Sequence, residues 1–156
     1  MDAFEALSPV SDHYASLPIA RAFDWSVVEA ALGAGEWYLV AFRSIRRPGA
    51  DEARLAHYDE LAYQEASRVP GYVHYFKGPT ASDGTCLSFC IWRDRASARA
   101  AAGRPAHVEA VSLLGEMYQM YTLELLRMRR RAGEPFEFEP YDRPELSRPV
   151  AVPAPS

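Results

Sequence analysis

The chain has 156 residues, 49% of them hydrophobic, 24% charged and 12% aromatic, with a formal charge of −4. That is one domain's worth of sequence with enough apolar residues for a core, and it excludes a wholly disordered chain. It also excludes general attraction to nucleic acid, and no uncharged apolar run approaches the roughly 18 residues of a membrane-spanning helix. The acidic start MDAFEALSPVSDHY lacks the positive charge of a signal peptide, so a cytoplasmic location is expected.

Residues 1–24 show no clear periodicity. Asp24-Trp25-Ser26 before VVEAALGAGE predicts a short capped helix that Gly33 and Gly35 stop. From 36 onward the hydrophobic period alternates. EWYLVAFRSI (36–45) is aromatic and β-branched and predicts a strand, broken by Arg46-Arg47-Pro48-Gly49. ADEARLAHYDELAYQEASR (50–68) predicts a helix: Asp51 and Glu52 open it, and Leu55, Tyr58, Ala62 and Glu65 mark one edge of its stripe. Pro70-Gly71 ends it before a second strand, YVHYFK (72–77). The loop GPTASDG (78–84) leads into TCLSFCIWR (85–93), the clearest strand of all.

The stretch 94–119 predicts a helix in two pieces, with Gly103-Arg104-Pro105 as the interruption and Pro105 placed to restart it. MYTLELLRMRR (120–130) predicts a fourth strand. Six of the twelve prolines fall in the last 22 residues, which predicts a Pro-rich arm without helix or central strand. Its start, Phe136, Phe138 and Tyr141, is suited to lie along the domain, and its last eight residues are expected to be disordered. Three parts follow: an extension over 1–35 with a short helix, a domain over 36–131 and a C-terminal arm over 132–156.

The order β-α-β-β-α-β defines an α+β, ferredoxin-like protomer, an antiparallel four-stranded sheet with two helices on one face. In 86–92, Leu87, Phe89 and Ile91 point one way and Cys86, Ser88, Cys90 and Trp92 the other, so neither face suits water. Leaving such side chains exposed forgoes roughly 1.5–3 kcal/mol each. The face opposite the helices therefore predicts a homodimer packed sheet to sheet.

In this order, and in VPGYVHY (69–75), SFCIWRDRASARA (88–100) and RPAHVEAV (104–111), the chain resembles the dimeric α+β barrel superfamily, in particular the antibiotic-biosynthesis-monooxygenase-like domains. The resemblance covers about 60% of the chain, roughly residues 36–131. It implies a pocket between sheet and helices, and chemistry ranging from cofactor-free oxidation of aromatic polyketides to haem oxidation or lactone isomerisation. Some members are stress-response proteins with no assigned reaction. The chain contains no asparagine, the residue that haem-degrading and quinone-forming members use as a polar pocket partner. Ala100, Ala101 and Ala102 stand where the haem-degrading group carries a helix tryptophan.

Among candidate residues, His107 shares an apparent stripe with Val111, Leu114 and Tyr118 and is expected to face inward, as a general base or as an axial haem ligand. The bland alternative is a helix-start histidine satisfied by nearby backbone. His74 is expected beside Tyr72 and Phe76 on one strand face, a second proton-handling or haem-ligating candidate, or a packed interface residue. His57 is expected near the same cleft or on the surface, and His13 supports no argument. Tyr72, Tyr75, Trp92 and Tyr118, with Tyr121, would line a π-rich substrate pocket or serve as core.

Cys86 and Cys90, four apart in one strand, lie roughly 13 Å apart and cannot pair with each other. The arginines 127 and 129–131, with Arg43, Arg46 and Arg47, would bind an anion or neighbour the acidic Glu134, Glu137 and Glu139. No phosphate loop, nucleophile elbow or metalloprotease motif is present. The expected function is a cofactor-free monooxygenase-like or isomerase-like dimer acting on a hydrophobic aromatic molecule. A haem protein of the same fold is the alternative, and a non-enzymatic interaction protein the third.

Overall fold

A computed structural model describes residues 2–141 and the backbone of 149–151. Residues 2–34 include two 3₁₀ turns and two one-turn helices, α1 (Ile19–Ala22) and α2 (Ser26–Glu29). The body follows as β1 (Gly35–Arg46), α3 (Glu52–Ala66), β2 (Tyr72–Phe76), β3 (Thr85–Trp92), α4 (Arg95–Ala102), α5 (Pro105–Ser112), α6 (Leu114–Met117) and β4 (Tyr118–Arg130). The arm adds β5 (Glu137–Pro140) and β6 (Pro149–Ala151). The sheet is antiparallel in the order β2-β3-β1-β4, as in a ferredoxin-like protomer, with β5 and β6 both pairing β4. Of the arm residues expected to be disordered, 149–151 pair with Met120, Tyr121 and Thr122, and 152–156 lie outside the described residues.

Local chemistry explains the helix and turn boundaries. Asp51 caps α3 by accepting from the Arg54 backbone N–H at 3.0 Å, and Asp94 caps α4 by accepting from that of Ser97 at 2.8 Å. Pro105 opens α5, where its missing N–H leaves no bond unmade. Gly71, between α3 and β2, has φ +95°, and a Cβ there would fall 2.1 Å from Ser97 Oγ. The arginine cluster at the end of β4 is met by the arm: Arg129 pairs with Glu139 at 2.5 Å, and Arg127 approaches Glu139 at 3.8 Å and Glu36 at 3.2 Å. These are surface pairs of modest worth.

The helices cover the sheet face that carries Tyr38, Val40, Phe42, Cys90 and Trp92. Fully buried Leu39, Ala41, Leu87 and Ile91 carry the other face. The sequence leads one to expect a second copy there. Instead the chain's own N-terminal segment lies on it, burying Phe4, Ile19, Phe23, Trp25 and Val28 in one cluster with those strand residues. Phe23 packs edge-on against Phe89 at 5.1 Å and Phe76 at 4.9 Å. Phe136 and Phe138 of the arm close the outer side, 5.8 and 4.9 Å from Trp25. The bare face that argued for a partner is therefore covered within one chain, and the extension belongs to the same core as the domain it precedes.

Three polar locks hold this cap. The Arg43 guanidinium donates to the carbonyls of Ala15 and Leu17, each at 2.6 Å, and pairs with Glu124. His74 Nδ1 lies 2.7 Å from the Asp2 carboxylate, and the Phe136 N–H donates to Glu29 at 2.9 Å. Gly78 permits a close approach as well: a Cβ there would sit 2.0 Å from the Leu87 carbonyl and 2.7 Å from the Tyr14 hydroxyl.

Candidate functional site

Five elements meet at one end of the helical face. Asp59 lies one turn after buried Leu55 on α3, which points it toward the sheet. Tyr75 comes from β2 and faces Cys90 across the strand pair. Ser88 and Cys86 come from β3, Arg46 from the end of β1, and Tyr118 from the start of β4, paired with Arg46 across the ladder. Asp59, Glu60, Tyr63, Tyr75 and Lys77 line an open cavity of about 220 Å³ between α3 and β2.

The electrostatics follow from burial. Asp59 is partly desolvated, and this holds its carboxyl above the usual range, although Lys77 and Arg46 act in the opposite sense. Lys77 Nζ stands 4.0 Å from Asp59 Oδ2 at the solvent side of the cavity. Burial and the Asp59 charge push the Tyr75 hydroxyl up, opposed by its hydrogen bond with Ser88. Tyr118 is pushed up to about 12 by burial and by Asp59, with Arg46 opposing through charge and a hydrogen bond. The Arg46 guanidinium lies 5.8 Å from the Tyr118 ring centre and also pairs with Glu52. The result is a carboxyl group that burial makes more basic than an exposed aspartate, flanked by two phenols that stay protonated.

The expected residues separate into three groups. Tyr75 and Tyr118 belong to the Asp59 cluster. Tyr72 and Trp92 pack together edge-on at 5.7 Å in the neighbouring part of the helical face, and Tyr63 links Tyr72 to the cavity at 6.3 Å. Tyr121 stacks on Phe42 at 5.5 Å beside Tyr118.

The histidines are elsewhere. A bulge between Tyr72 and His74 puts those two on opposite faces, correcting the expectation that they share one; His74 stacks on Phe4 of the N-terminal cap at 6.0 Å. His107 is exposed rather than inward, because its apparent stripe runs across α5, α6 and β4, which are not one helix. His57 is exposed on α3 against Tyr58.

Neither His107 nor His74 faces the helical cleft, so these residues do not fit a haem ligated there. Both cysteines are free, and burial raises Cys90 to about 11. Asp59 escapes a reading of the sequence as a site residue, although its place four residues after Leu55 is the signal that finds it. Arg46, expected with Arg43 and Arg47 to bind an anion, instead lies beside Tyr118 and pairs with Glu52.

The fold, with this cluster placed between sheet and helices, is one that solved structures of antibiotic-biosynthesis-monooxygenase type share. A variant of SnoaB, described as a cofactor-independent oxygenase from Streptomyces nogalater, is similar with a TM-score of 0.50 at 18% identity, over 65% of this chain and 100% of that one. PA3566 from Pseudomonas aeruginosa gives 0.51 at 17% identity, over 63% and 96%. A structure described as an antibiotic biosynthesis monooxygenase gives 0.50 at 17%, over 56% and 94%. The family model described as PB2B2.08-like matches residues 1–140, and the chain belongs to that family. No curated protein matches the sequence. Among the described residues, no helix is long and apolar enough to cross a membrane.

Proposed function

We propose that the chain binds a small, hydrophobic, phenolic molecule in the cleft between α3 and β2 and moves a proton on it through Asp59, without a nucleotide cofactor. The observation that carries this reading is the raised Asp59 carboxyl on the wall of a cavity that Tyr63, Tyr75, Glu60 and Lys77 complete. An aspartate raised above the exposed value is a stronger base than an exposed one. Tyr63 and Tyr75, with ring centres 5.5 Å apart, offer aromatic surface to a flat ligand, and the protonated Tyr75 hydroxyl donates to a developing phenolate.

Two reaction types share this first step. In the isomerase-like case Asp59 takes a proton from one carbon of a phenol-conjugated ring and returns it to another. In the monooxygenase-like case the carbanion left by proton removal passes electrons to dioxygen. One oxygen atom then becomes a ring carbonyl where a methylene stood, and the other leaves as water. The likeness of fold to a cofactor-independent oxygenase supports the second case.

Titration of the full chain with 1-naphthol, followed by ligand fluorescence, tests the binding. Asp59→Asn is expected to weaken binding about tenfold, the loss of a hydrogen bond to a charged acceptor. Binding that Asp59→Asn and Tyr75→Phe both leave unchanged would place the ligand elsewhere.

A further inference from the structure

We infer that residues 2–34 occupy, within one chain, the sheet face that a second copy would otherwise cover, so that this face is closed to association. The inference does not depend on the function of the Asp59 cleft, which lies on the opposite face. A β-sheet with helices on one side must bury its other side against something. Here the occupant is part of the same chain. Ile19, Phe23 and Val28 interlock with Leu87, Phe89 and Ile91, and almost none of this surface meets solvent. A loosely attached extension would make few specific bonds. This one is held by the Arg43 guanidinium on two of its carbonyls and by Asp2 on His74. The arm adds Phe136 and Phe138 over Trp25, sealing the cap from outside.

The comparison of chain lengths agrees. The similarity to the SnoaB variant takes in all of that chain and only 65% of this one, so about a third of this chain is additional to the shared fold. With the cap in place, a second sheet cannot reach Phe89 or Leu39 without first displacing Phe23 and Trp25.

Photocrosslinking of the full chain decides the matter. Phe76 lies at the sheet edge with its ring 4.9 Å from Phe23 and 6.0 Å from Tyr14. Phe76→p-benzoylphenylalanine, irradiated in solution, is expected to give a covalent product with the mass of one chain, joining β2 to a peptide within residues 14–25. A product with the mass of two chains, whether it joins sheet to sheet or one sheet to another copy's cap, would overturn the inference. The same photoreactive residue at Leu17, half-buried beneath Arg43, makes the result independent of the first variant's folding. It is expected to give a one-chain link between the cap and β1 or β4, and a two-chain link there would likewise overturn it.

Discussion

Lys77, the single lysine of the chain, stands 4.0 Å from the Asp59 carboxylate, yet Asp59 is held above the usual carboxylate range. Desolvation by the sheet outweighs the ammonium because Lys77 is half exposed and its charge is screened by water. A carboxyl group raised in spite of a nearby cation is stabilised in its protonated form by the fold itself.

The sign of the consequence for stability is fixed. A group whose folded pKa is raised contributes stability below its unfolded value and loses it as pH rises through the folded value. At neutral pH the ionised Asp59 therefore opposes folding. Asp59→Asn is expected to raise Tm at pH 7 by roughly 1–4 °C and to lose that gain at pH 3, while weakening ligand binding. Calorimetry at the two pH values checks this, and an unchanged or lower Tm at pH 7 counts against a raised Asp59.

Tyr75 and Tyr118 titrate upward for the same reasons. Their protonated forms stabilise the fold fully below about pH 10, and the contribution falls away as pH climbs from about 10 toward 12. Spectrophotometric titration is expected to show late-ionising phenols that appear together with loss of tertiary structure. Tyr118→Phe is expected to remove one of them and to soften the alkaline transition.

Phe23 joins the cap to β2 and β3. Phe23→Ala deletes a buried ring and is expected to cost about 3–5 kcal/mol in denaturant unfolding. Arg43→Ala leaves the carbonyls of Ala15 and Leu17 and the Glu124 carboxylate without their donor, and is expected to cost about 1–3 kcal/mol. Both variants should accelerate hydrogen exchange in residues 14–25 more than in α4, and equal acceleration throughout would deny the cap a stability of its own.

Much of the body was legible in sequence because its periods are local. Alternation in 85–92 and the three-to-four spacing in 52–66 mark β3 and α3, and Pro70-Gly71 and Pro105 punctuate them at the observed boundaries. The errors arise where a local period is interrupted. The bulge at Tyr72/His74 reverses the strand's facing, so Tyr72 and His74 part company. The chain bends after Ser112 and again after Met117, so a helical phase carried from His107 to Tyr118 has no physical meaning.

The N-terminal cap was illegible for a different reason. Phe4, Tyr14, Phe23 and Trp25 sit on short turns whose apolar residues follow the contour of another element's surface and have no period of their own. Asp59 was hidden by a correct general rule, since an acid on an amphipathic helix usually faces water.

The most direct test of the central claim is carbon-13 NMR of the Asp59 carboxyl in the full chain, titrated with pH in the absence and presence of 1-naphthol. The account predicts a midpoint above 3.8, the ordinary aspartate value, that moves when the phenol is added. A midpoint at or below that value, unmoved by the phenol, would contradict it.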